Sequence, residues 1–181
     1  MARVVTLELV RVMIQTFDEQ LQVVLRALKD VVAPALTGAE KHVIEQLHLC
    51  MVTLSYVKTR LPDARRYFRM ELSSYIALAE AAVGIAHGNL GPLVSKLSGD
   101  VAAGKAELQQ SESDIEEYRA ITMRLREQLA ALSNAAVGTP CKETLDRMIL
   151  EKSGDLLMQY RLWCAPFGFE LKPEDLPKPA W

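Results

Sequence analysis

Apolar residues recur along this chain with unbroken 3-4 spacing, and that constrains the fold more than any other feature. In the first segment Leu7, Val10, Ile14, Phe17, Leu21, Val24, Leu28 and Val31 are all apolar. Such a run lays a continuous stripe along one face of an α-helix and does not suit a strand, whose period is two. Val12, Met13, Val23 and Leu25 widen the stripe, so this helix is expected to meet more than one neighbour. Pro34 disfavours helical geometry in the residue before it and predicts an end near Val32.

The pattern repeats downstream. Thr37 and Glu40 have capping-box spacing, and Val43, Leu47, Cys50, Leu54, Val57 and Leu61 form the next seam, closed by Pro62. A third helix is expected from Asp63, as cap, to Gly88-Asn89, with Phe68, Leu72, Tyr75, Ala79, Ala82 and Ala86 facing inward. Its small second half predicts close packing. From Val94 to Leu132 one heptad register runs without a skip, through Val101, Gly104, Ser111, Tyr118 and Leu125. The register predicts a single helix over residues 92–134, roughly 60 Å long at 1.5 Å per residue. Two helices broken near Ser111 are the alternative, because Gly99, Gly104 and Gln109-Gln110-Ser111 interrupt the pattern and Ser113 and Glu116 could cap a new start. Thr139-Pro140 marks the start of the last helix, with Leu145, Ile149, Leu156, Tyr160 and Trp163 inward.

These seams predict an all-α, up-and-down helical bundle of five to six long helices with an extended Pro-rich C-terminal tail. One bundle domain would occupy residues 1–165. Residues 166–181 would form the tail, with prolines at 166, 173, 177 and 179, packed through Phe167, Phe169, Leu171, Leu176 and Trp181 on the bundle or on a partner subunit. At 181 residues, with 50% hydrophobic and 24% charged residues, the chain is long enough for a full core. The formal net charge of −2 argues against nucleic acid as a partner. Glu8 and Arg11 interrupt any signal-peptide core, and no uncharged stretch reaches the length of a membrane span. Cys50, Cys141 and Cys164 lie far apart without a C-x-x-C pair, which suits a reducing cytoplasm.

Motifs for chemistry are scarce. Glu45 and His48 have the E-x-x-H spacing of di-iron bundles, but no second copy exists and Glu45 points away from the apolar seam. His42, His48 and His87 share no spacing. Cys50 reads as a packed hydrophobe, and Cys141, in a first helical turn, is the best candidate for a reactive thiol. Neither catalytic residues, a metal site nor a cofactor is indicated. The acidic run Glu107, Glu112, Asp114, Glu116 and Glu117 reads as ordinary exposed helix charge. The basic cluster Lys58, Arg60, Arg65, Arg66 and Arg69 is the one charge feature that suggests a ligand, a phosphate such as that of a nucleotide or coenzyme A. The expectation is therefore a cytoplasmic, non-enzymatic bundle acting through self-association as a homodimer. A bundle that binds a small molecule or acyl-CoA at the Lys58–Arg69 corner is the alternative.

Overall fold

The computed structural model describes residues 16–181, and among them every regular element is helical. The long elements are α1 (Phe17–Ala27), α2 (Lys41–Arg60), α3 (Ala64–Ile85), α4 (Gly91–Gln109), α5 (Ile115–Ala135) and α6 (Lys142–Cys164). The chain forms an all-α helical bundle fold, divided into two compact units. Among the described residues one comprises 16–62 and 166–169, the other 63–165 and 170–181.

In the first unit α1 and α2 form a hairpin. Leu7, Val10 and Ile14 of the expected seam lie outside the described residues. Helix α1 opens with a true capping box: Glu19 N–H donates to Thr16 Oγ1 (3.2 Å), and Thr16 N–H donates to Glu19 Oε2 (2.8 Å). Pro34 does not end the helix near Val32. The chain widens into a π-helical turn at Leu28–Val32 and continues helically through Ala33–Ala35. Proline lacks the N–H and crowds the carbonyl four residues back, and a turn with longer hydrogen bonds accommodates both. Thr37 is likewise not the cap of α2. Its hydroxyl donates to Pro34 O (2.8 Å), Gly38 takes φ +95°, and Glu40 precedes the helix with no side-chain cap bond. Leu21, Leu25 and Leu28 are half-buried, as are Val43, Leu47 and Leu54 of α2, and Lys58 pairs with Asp18 at 3.4 Å. Neither helix buries a residue completely among the described residues.

The second unit has a full interior. Leu72, Ala79 and Ala82 of α3, Leu97 and Val101 of α4, and Tyr118, Leu125, Leu129 and Leu132 of α5 make one core with Leu145 of α6. The expected α3 seam therefore faces inward, with Phe68 and Tyr75 half-buried at its edge. Residues 92–134 are two helices, not one, and they are linked by residues 110–114. Helix α5 starts after Asp114, without a side-chain cap from Ser113, whose hydroxyl donates instead to Glu107 O (3.1 Å). So short a link folds α5 back beside α4. Gly104 lies where α3, α4 and α5 meet: a Cβ there would stand 2.9 Å from Ile76 Cδ1 and 3.4 Å from Ile121 Cγ2, so a larger residue would require Ile76 to shift. Helix α6 begins at Lys142 rather than at Pro140, because the Thr139 hydroxyl closes the preceding turn onto Ala136 O (2.7 Å). It leans mainly on α3 and touches α5 little. On α6 Leu162 is buried, while Tyr160, expected inward, is exposed.

The C-terminal residues of this unit return to the bundle. Trp163 stacks on Tyr67 (4.1 Å between centroids), and Trp181 meets both rings edge-on at 5.7 and 5.2 Å. Arg161 binds both carboxylate oxygens of Glu170 (2.7 and 3.2 Å), which holds the Glu170 carboxyl below its ordinary range.

Candidate functional site

The basic cluster divides between the two units. Lys58 and Arg60 end α2, while Arg65, Arg66 and Arg69 sit on the first turns of α3. Lys58 is committed to Asp18 and Arg66 faces Asp63 at 3.6 Å. Arg65 donates to Ser111 O, and Arg69 donates to the Tyr118 hydroxyl (3.4 Å). Burial pushes the Tyr118 phenol up, but hydrogen bonding with Ser113, Arg69 and Arg65, with the Arg69 charge, outweighs it and leaves the phenol below its ordinary range. Arg65 thus ties the α4–α5 link to α3, and Arg69 ties the first turn of α5 to it. Arg66 and Arg69 also border a cavity of about 390 Å³ beside Trp181.

Other sequence candidates are dispersed. Glu45 is exposed and pairs with Lys41 (3.4 Å), while His48 is exposed on the same helix. His42 faces Glu40 (3.3 Å), and His87 Nδ1 lies 2.7 Å from Ile85 O. Among the described residues no three His, Cys, Asp or Glu side chains gather as a metal site would require. Cys141 is buried, with Sγ 3.1 Å from Thr139 Oγ1, so the best sequence candidate for a reactive thiol is closed to solvent. Cys50, expected to pack, is exposed.

A different site emerges where α6 stands away from α5. A cavity of about 790 Å³ lies between α3, α5 and α6, walled by Leu78, Met123, Leu129 and Ile149. A second, of about 390 Å³, extends along Glu71, Leu156 and Tyr160, and Tyr75, Arg126 and Ser153 line both. The Arg126 guanidinium lies 5.8 Å from the Tyr75 ring centroid. Burial raises the Tyr75 phenol and the Glu71 carboxyl, and the Arg126 charge opposes both shifts. Arg119 and Arg124 on the same helix are paired, with Glu116 (2.8 Å) and Asp100 (3.2 Å). Arg126 has no carboxylate within 4 Å among the described residues. No protein family, curated protein or solved structure matches the chain.

Sequence reasoning missed this site. Arg126 follows the seam residue Leu125 and at 100° per residue flanks the buried face, where a solvated arginine is the ordinary occupant. The gap between α5 and α6 and the lack of a carboxylate within 4 Å among the described residues distinguish it from Arg119 and Arg124.

Proposed function

We propose that this protein is a non-enzymatic association module that forms a homodimer through the α1–α2 hairpin. One observation carries the reading: the apolar stripe of that hairpin is uncovered. Phe17, Val24 and Val31 recur every seven residues, and they are 73, 44 and 67% exposed. Leu49, Val52 and Val57 of α2 are exposed as well. A soluble protein rarely leaves such a stripe in water. A second hairpin would convert two helices into a four-helix bundle, and a two-fold interface counts every such side chain twice. Burying one large apolar side chain stabilises by about 1.5–3 kcal/mol. Association costs about 4–15 kcal/mol in lost freedom. The stripe is thus large enough to offset that cost.

A cytoplasmic setting belongs to the same reading, supported by three free cysteines, and the net charge of −2 supports protein rather than nucleic acid as the partner. Among the described residues no helix is long and apolar enough to cross a membrane. Light scattering after size exclusion should give twice the chain mass at micromolar concentration. Replacing both Phe17 and Val24 with Glu should give one chain mass with the helical content retained. A parent protein that is monomeric throughout would refute the reading.

A second reading keeps, of the Lys58–Arg69 cluster, the arginines of the second unit, Arg65, Arg66 and Arg69, as an anion site, favoured by the cavity that Arg66 and Arg69 border. Coenzyme A should then raise the melting temperature, and Arg66→Gln with Arg69→Gln should remove that shift. An unchanged shift in the double variant would exclude this corner.

A further inference from the structure

We propose that the cleft between α3, α5 and α6 binds an organic anion with an apolar body, a carboxylate on a hydrocarbon chain, with Arg126 as its anchor. The cleft lies wholly within the second unit, so it stands independently of dimerisation through the hairpin.

Its size suits a small ligand, since pockets for such molecules occupy about 300–1,000 Å³ and are mostly apolar with few polar anchors. Leu78, Met123, Leu129 and Ile149 supply the apolar wall, and Leu156 extends it toward the second cavity. The anchor is specific. A guanidinium on a partly apolar wall, with no carboxylate of its own, offers paired N–H donors that match a carboxylate bidentately. The Tyr75 ring beside it limits where the guanidinium can lie, so less freedom is lost when an anion binds.

The sign of the head group is set by the one cation that lines both cavities, Arg126. Glu127 lines only the first cavity and Glu71 only the second, and neither pairs with Arg126 within 4 Å. Where the two cavities meet, Arg126 would repel an ammonium head group. The Tyr75 phenol, which also lines both, can donate its O–H as a second contact. The two cavities share Tyr75, Arg126 and Ser153, one reaching Leu129 and Ile149 and the other Leu156 and Tyr160. A chain can lie along that path with its head group at the middle, where Tyr75, Arg126 and Ser153 meet.

The experiment is calorimetric titration of the full chain with three eight-carbon probes: sodium octanoate, n-octanol and octylammonium chloride. Octanoate should bind, with octanol at least tenfold weaker and octylammonium weaker still. Arg126→Gln should weaken octanoate about tenfold or more, the usual scale for a charge-assisted contact. Arg124→Gln, on the same helix but paired with Asp100, should leave octanoate affinity unchanged. Ala130→Trp, which fills the cleft from an exposed lining position, should abolish binding while the protein remains helical by circular dichroism. Absence of octanoate binding at millimolar concentration would overturn the proposal. Equal affinity for octanol, preference for octylammonium, or undiminished binding by Arg126→Gln would overturn it as well.

Discussion

The α1–α2 hairpin and the α3–α6 bundle carry seams of the same spacing, yet only the bundle has an interior. In α3, α4 and α5 the seam residues Leu72, Leu97 and Leu125 are fully buried. In α1 and the π-turn after it the equivalent stripe of Phe17, Val24 and Val31 is exposed, and Leu21, Leu25 and Leu28 are half-buried. The contrast separates two meanings of amphipathicity. A 3.6-residue period says that a segment is helical with one preferred face, whereas burial depends on how many neighbours that face meets. Two helices can cover one narrow seam between them. Four helices can enclose a core, and the wide stripe of α1 exceeds what α2 alone covers.

Truncating one side chain in each region should give the largest difference between them. Leu72→Ala removes a fully buried side chain and should cost about 2–5 kcal/mol in urea unfolding. Val24→Ala trims a side chain already 44% exposed and, measured below the dimer concentration, should stay within about 0.5 kcal/mol. Raising the protein concentration should enlarge the Val24→Ala loss and leave the Leu72→Ala loss unchanged, because only Val24 lies on the proposed interface. Losses of equal size at every concentration would mean that the hairpin has a covered interior of its own.

The two regions also differ in how far their sequence can be read. The seams of α3, α4 and α5 predict most of the buried residues but miss Tyr67, Ile76, Leu78, Ile121 and Gln128, because each helix there meets several neighbours and buries more than one narrow stripe. Continuity across residues 92–134 misled for a physical reason: α4 and α5 both face one core, so a short link can preserve the heptad register through a reversal. Ser111, the one seam position in that link, is exposed. Caps were less legible still. Thr37, Ser113 and Thr139 all have cap-like spacing, but each hydroxyl donates to a carbonyl of the preceding turn or helix (Pro34, Glu107 and Ala136). Pro34 shows the converse, since a π-turn let the helix pass a residue that ordinarily stops it. The Arg126 cleft was illegible, because it depends on a helix standing away from its neighbour, and no local pattern encodes that distance.

A smaller effect tests the bundle interior against the hairpin through a single polar atom. Thr122 lies on the buried face of α5, and its hydroxyl is buried with no hydrogen-bond partner. A helical threonine ordinarily donates to the carbonyl one turn back, which here would be Tyr118 O, and that bond is missing. The hydroxyl therefore carries its desolvation cost without compensation, about 1–3 kcal/mol for a neutral group. Thr122→Val keeps the branched shape and removes the oxygen. It should stabilise the protein by about 1 kcal/mol and raise the melting temperature by about 2–4 °C. The same exchange at Thr53, exposed on α2, removes no buried polar atom and should stay within about 0.5 kcal/mol. A destabilised Thr122→Val would mean that the hydroxyl has a partner, such as a bound water, and that the bundle core is wetter than its apolar lining implies.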